Sequence, residues 1–225
     1  MGQAKDDSHS GRQALAELCE AYYEPVLAYL RGRLRDEDRA REATHAFFAH
    51  FLAGGSMEAA DPERGRFRFY LLGAVKHFLA HQREAEMRLK RGGGTQTFSL
   101  DAEPPHSSSP SVPADPQLTP EAAYDRQWAV TVLARALGAL QAECKAQGKE
   151  ALFEQLRPSL LGEAVHGEQS AAAQALGLSA AALKVAAHRL RHRFRQHVKA
   201  EIAGTLRDRA AVDDEMRSLF AALGG

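Results

Sequence analysis

Gln169–Arg195, QSAAAQALGLSAAALKVAAHRLRHRFR, is the stretch on which the reading of the chain turns. It reads as two short helices joined by a tight turn, the second ending in a comb of cations. Gly177 stands where the turn needs an unhindered backbone, and Ser179 is a natural N-cap for the helix that follows. Ala173 is small where the two helices would cross, and Ala172, Leu176, Leu178, Leu183 and Ala186 supply an apolar side to lock the pair. Lys184, Arg189, Arg191, Arg193 and Arg195 load the second helix with positive charge. A helix-turn-helix of this kind fits its second helix into the major groove of duplex DNA. The plainer alternative is an ordinary helical hairpin with an exposed basic face.

Outward from that stretch, the chain of 225 residues is rich in Ala and Leu, 44% apolar and without strong strand patterns, so the expected class is all-α. A first helix is expected over about Gln13–Arg31, with Leu15, Leu18, Cys19, Tyr22, Val26, Leu27 and Leu30 at helical spacing and Pro25 as a kink or break. A second spans Glu37–Leu52, with Ala40, Ala43, Phe47, Phe48 and Phe51 apolar and Gly54-Gly55 as the stop. A third starts near Glu63 or Arg66, carries a stripe of Phe67, Leu71, Ala74, Val75, Phe78, Ala85 and Leu89, and stops at Gly92–Gly94. Residues 95–118 hold Ser, Pro, Asp and Thr with few large hydrophobes and read as a flexible tether. Thr119-Pro120-Glu121 opens a new helix, Thr as N-cap and Pro at the first helical position, running to about Ala146 with Tyr124, Trp128, Val132, Leu133, Leu137 and Leu140 apolar. One more helix is expected around Glu150–Leu161 and a short amphipathic one over Asp208–Leu223. The expected division is a helical domain (1–94), a linker (95–118), a second helical domain ending in the helix-turn-helix (119–206) and a C-terminal tail (207–225). Three roles are open for the tail: a regulatory latch, a partner-binding helix, or a cover on an apolar patch of the second domain. The last fits a lone amphipathic helix best.

Lys and Arg number 29, as do Asp and Glu, so the net charge is zero, yet the charge is segregated. Residues 63–91 carry eight Lys/Arg against three Glu, and 184–199 carry six Lys/Arg and no acid. Two basic surfaces on a neutral chain point to nucleic acid more than a uniform excess would. In the first of them Phe69 and Tyr70 stand among Arg66, Arg68, Lys76, Arg83, Arg88, Lys90 and Arg91. Rings that stack on unpaired bases, with cations tracking the phosphates, make a single-strand site. Core or domain-interface rings are the alternative for both aromatics.

The motifs AREATHAFFAHFL (Ala40–Leu52), RGRFRFYLLGAVKHFLA (Arg64–Ala80), KRGGG (Lys90–Gly94) and ALGLSAAALKVAAHRLRHRF (Ala175–Phe194) follow one another in an order that resembles the extracytoplasmic-function class of bacterial RNA polymerase sigma factors. The likeness covers the chain from about Leu15 to Ile202. It implies that the second helix docks on core RNA polymerase, through Glu42, His45, Phe47 and Phe48. It implies that the third helix opens and reads the promoter −10 element as a single strand, through Arg66, Arg68, Phe69, Tyr70, Lys76, His77, His81, Arg83 and Arg88. The helix-turn-helix would read the −35 element as duplex through Ser179, Ala180, Ala181, Lys184, His188, Arg189, Arg191 and Arg193. Two modest contacts joined by a linker bind one promoter far more tightly than either alone. The chain departs from the family at His45-Ala46, where a Gln-Glu pair is usual, and at His81, where an acid or Asn is usual. The recognition helix opens on Ser179-Ala180-Ala181-Ala182, leaving Lys184 and His188 as its base-reading side chains and Arg189, Arg191 and Arg193 as phosphate anchors. An anti-sigma factor is a further candidate partner, with no residue assigned to it.

An enzyme is the first rival reading. His77 and His81, and His188 and His192, are four apart on helices and so could pair on a metal, but neither pair has a third ligand nearby in sequence. No phosphate-cradling loop and no nucleophile–base pair stand out, so no catalytic residue, metal or cofactor is assigned. The second rival is a stand-alone helix-turn-helix regulator with an N-terminal sensor domain, for which a basic, aromatic-headed helix in the first domain has no use. Cys19 and Cys144 read as reduced core thiols, and no apolar run reaches membrane-spanning length. The N-terminus lacks an apolar signal core, so the expected location is cytoplasmic.

Overall fold

The computed structural model describes residues 3–53, 66–90, 110–160, 168–206 and 209–224, the side chains of 3–16, 89–90, 168–171 and 209 excepted. All regular structure among them is helical: α1 (Gln3–Leu34), α2 (Glu37–Ala53), α3 (Phe67–Lys90), α4 (Pro120–Ala146), α5 (Glu150–Leu160), α6 (Glu168–Ala175), α7 (Ala180–Gly204), a 3-10 turn (Arg209–Ala211) and α8 (Val212–Gly224). The expected glycine stops at Gly54-Gly55 and Gly92–Gly94, and residues 95–109 of the expected tether, lie outside the described residues.

Helix ends follow local chemistry. Arg35, at φ 54°, takes the left-handed conformation that turns the chain out of α1. Asp36 then caps α2, its Oδ1 accepting the Arg39 N–H at 3.0 Å. Thr119 caps α4 in the same way, accepting the Ala122 N–H at 3.2 Å. Pro25 neither breaks nor ends α1 and is itself buried in it.

The chain divides into two compact units, Met1–Thr131 with Thr205–Gly225, and Val132–Gly204, so the boundary falls inside α4 and not at a tether. In the first unit α1, α2 and α3 share an aromatic core. Phe47 makes ring contacts with Phe48, Phe51 and Phe78, and Tyr22 meets Phe67 edge-on at 5.2 Å. Leu72 and Leu79 of α3 are buried beside Leu71 and Val75, which shifts the apolar stripe off the expected one. Residues 110–118 are tied down. Gln127 of α4 donates to the Pro110 carbonyl at 2.6 Å and accepts the Val112 N–H at 2.7 Å, and Arg31 donates to Ser111 Oγ at 3.0 Å. This part of the expected tether is held because a buried glutamine supplies the hydrogen bonds its backbone needs. The C-terminal tail groups with this unit as well.

The second unit is built on Leu140, Cys144, Phe153, Leu156, Ala172, Ala173, Leu183 and Leu190, from α4, α5, α6 and α7. Gly148 (φ 67°) ends α4 and Gly177 (φ 62°) ends α6, both in the left-handed region. After each glycine the next N–H reaches back five residues: Lys149 to the Cys144 carbonyl at 2.8 Å and Leu178 to the Ala173 carbonyl at 2.9 Å. That is a Schellman ending, used twice in one unit. Ala172 and Ala173 are buried at the α6 end, whereas Leu178, expected in the apolar lock, stays exposed.

Candidate nucleic-acid interface

Exposed cations gather on two surfaces, one in each unit. In the second, the Gly177 turn delivers the chain to Ser179, whose Oγ accepts the Ala182 N–H at 3.2 Å while its carbonyl accepts the Leu183 N–H at 2.9 Å. This cap fixes the register of α7. Leu183, Leu190 and Val198 then face inward, and the spacing of Lys184, His188, Arg191 and Arg195 places all four along one exposed line. At 1.5 Å rise per residue that line runs about 16 Å, enough to follow a groove of B-DNA. None of the four makes an ion pair with a described residue. Arg189 is exposed on the other flank, and Ser179, Ala180 and Ala181 are exposed at the start.

Arg193 stands apart. Its guanidinium is bound to Glu143 of α4 at 2.6 and 3.0 Å, and His197 meets the other oxygen of that carboxylate at 2.7 Å. Hydrogen bonds from His197 and then Arg193 hold the Glu143 carboxyl below its ordinary value. The residue expected to anchor a phosphate is thus engaged with an acid of its own unit. Nothing in the sequence pattern marked Glu143 as its partner.

In the first unit, the residues expected to hold a single strand separate into two groups. Lys76, His77, His81, Arg83 and Arg88 are exposed along α3; Lys76 pairs with Glu121 at 2.8 Å and Arg88 lies 3.6 Å from Glu84. Neither His77 with His81 nor His188 with His192 has a third metal-ligating residue beside it among the described residues. The start of α3 is different. Arg68 is only 5% exposed. Its Nε donates to Glu215 of α8 at 3.1 Å, its Nη1 bonds Asp125 of α4, and its guanidinium lies 4.6 Å from the Trp128 ring centroid and 4.2 Å from that of Phe69. Tyr124 donates its hydroxyl to the Arg68 carbonyl at 3.0 Å. Burial raises the Asp125 carboxyl against the pull of Arg68. A lone buried cation would be very costly, so a buried Arg68 needs at least one acidic partner. The expectation that Arg68 is a surface cation is corrected on this point. Phe69 is 50% exposed, with one face against Arg68, and Tyr70 is half-buried among the rings of Phe51 and Phe67.

The residues expected to dock on polymerase also divide. Glu42 is exposed, and His45 is half-buried and hydrogen-bonded to the Tyr23 hydroxyl at 2.7 Å. Both line an open groove of about 630 Å³, together with Arg39, Leu79, Gln82 and Arg83. Phe47 and Phe48 are each 1% exposed, in the core and not on a docking face. Helical spacing could not tell these apart, since four large apolar residues in Phe47–Leu52 exceed what one buried face needs.

Both cysteines are free and buried, and burial pushes the Cys19 thiol up to about 11. Among the described residues no helix is long and apolar enough to cross a membrane. In comparisons with known proteins, no family model, curated protein or solved structure matches the chain.

Proposed function

We propose that the chain is a sigma factor of the extracytoplasmic-function class, which binds core RNA polymerase, recognises promoter DNA and promotes transcription initiation without a reaction of its own. The α6–turn–α7 element would act as a helix-turn-helix on the −35 duplex, and the exposed face of α3 would hold the −10 single strand. The observation that carries this reading is the line Lys184–His188–Arg191–Arg195, exposed and without described ion-pair partners on a helix whose register is fixed by the Gly177 turn and the Ser179 cap. Fixed cations of this kind neutralise phosphates and release counterions, which supplies much of the affinity of a DNA-binding helix. The order of motifs along the sequence supplies the rest of the support. Glu42, His45 and the groove they line would be the polymerase contact.

The test is binding. The purified chain, mixed with bacterial core RNA polymerase, is expected to co-elute with it on size exclusion, and Glu42→Lys should weaken that association while leaving duplex DNA binding unchanged. A chain that binds duplex DNA but never the polymerase would be the stand-alone regulator.

A further inference from the structure

At the start of α3, the cations of the first unit are met by the protein's own C-terminal helix. Arg66 Nε lies 3.2 Å from Glu215 Oε1, its Nη2 3.7 Å from Asp214, and its Nη1 donates to Ser218 Oγ at 3.2 Å. Among the described residues, the hydrogen-bond and ion-pair partners of the Arg66 side chain thus lie in α8. The carboxylate of Glu215 also takes the Nε edge of Arg68, while Asp125 holds another edge. Glu215 is itself 2% exposed and serves two guanidinium groups at once. This is how two arginines clamp a phosphate: two guanidinium groups around one pair of anionic oxygens.

The seat of α8 is light for a permanent part of a core. Met216 and Leu219 are buried, but Phe220 and Leu223 of the same short helix remain exposed. The first turn carries three successive acids, Asp213, Asp214 and Glu215. A buried ion pair roughly offsets the cost of its own desolvation, so such a contact sets orientation and specificity more than it adds hold. Beside it the Phe69 ring is half-exposed, a stacking face next to the covered cations.

We propose that α8 is an autoinhibitory cover: its acids occupy, in place of nucleic-acid phosphates, an anion site made by Arg66, the Nε edge of Arg68 and the Phe69 ring, and single-stranded DNA binds there only when α8 leaves. The proposal deepens the sigma reading and rests on it for the identity of the strand. Asp125 keeps Arg68 paired when α8 is away, so opening does not strand a buried charge.

The experiment measures fluorescence anisotropy of a labelled oligothymidylate with the full chain, with Asp214→Asn/Glu215→Gln, and with that pair plus Arg66→Ala. The double variant keeps the shape of α8 and removes its competing charge. It is expected to bind about tenfold more tightly. Because its two freed cations then meet phosphates, the slope of log affinity against log salt should steepen by about 1.4, at about 0.7 per contact on single strands. Adding Arg66→Ala should return most of the gain. Asp214→Asn alone touches no buried group and should give a smaller gain in the same direction. Hydrogen exchange at Phe67–Leu72 and Val212–Gly224, expected to speed up in the double variant, reports the opening without DNA. Unchanged affinity and slope, with or without faster exchange, would overturn the proposal. Core-polymerase association of the unmodified chain is scored separately: if it holds while the oligonucleotide results fail, the cover is wrong and the sigma reading stands. If α8-dependent binding holds without polymerase association, the cover stands and the sigma reading falls.

Discussion

Gly177→Ala isolates the turn on which the DNA-binding reading depends. Gly177 sits at φ 62°, and a Cβ built there meets nothing within 4 Å, so the substitution introduces no clash. The cost is the backbone's alone. A left-handed L-residue costs roughly 1–2 kcal/mol. Alanine recovers roughly 0.4–1 kcal/mol by restricting the unfolded chain. The net loss is therefore about 1 kcal/mol, or about 4–8 °C in Tm for a unit of some 60–100 residues. Gly148 provides the control: it ends α4 at φ 67° in the same hydrogen-bonding motif, and a Cβ there also meets nothing within 4 Å. Gly148→Ala should cost the same in thermal unfolding followed by circular dichroism. Only Gly177→Ala should also weaken duplex DNA binding in the folded protein, because only that turn aims α7 from α6. Gly177→Asn should recover most of both losses, since asparagine tolerates the left-handed region. A Gly177→Ala protein as stable as its parent would refute the left-handed ending of α6. Equal loss of DNA binding in Gly148→Ala would remove the turn's special role.

Lys184→Ala with Arg189→Ala should weaken duplex binding and lower its salt slope by about 0.9, for the one phosphate anchor, Arg189, that is lost, with polymerase binding intact; joint loss of both activities would make these residues structural. Phe47→Ala should destabilise the chain by about 3–5 kcal/mol in urea titration, and polymerase binding should fall only with the folded fraction. Selective loss of polymerase binding at full stability would put the ring back on the surface. Glu143 titrates below its ordinary 4.5 through His197 and Arg193, so its contribution is present above that value and is lost as the pH falls through the depressed folded one. Because Arg193 is half-exposed, Glu143→Gln should cost no more than about 1 kcal/mol at neutral pH, with the difference closing in acid. A difference that grows on acidification would reverse the sign of this argument.

Much of the fold was legible because its signals are local. The Thr119-Pro120 start, the start at Glu37 and the Gly177-Ser179 turn each depend on residues within a few positions of one another, and each governs a helix end. Burial was less legible. The run from Phe47 to Leu52 and the pairs Leu71-Leu72 and Phe78-Leu79 offer more apolar residues than one face requires, so spacing alone could not say which turn inward. Partners distant in sequence left no trace at all. Arg68 with Glu215 and Arg193 with Glu143 join residues 147 and 50 positions apart, and an arginine in a basic stretch looks the same whether it faces water or an acid folded back on it. Residues 110–118 of the expected tether are held for a related reason: a polar segment is free only if no helix supplies its hydrogen bonds, and Gln127 supplies them.

The most direct measurement is run-off transcription with core RNA polymerase on a library of promoter fragments, with and without the purified chain. The account predicts new start sites that appear only with the chain, share two conserved elements upstream, and disappear with Lys184→Ala/Arg189→Ala. No chain-dependent start site, from a polymerase preparation that responds to a known sigma factor, would contradict it.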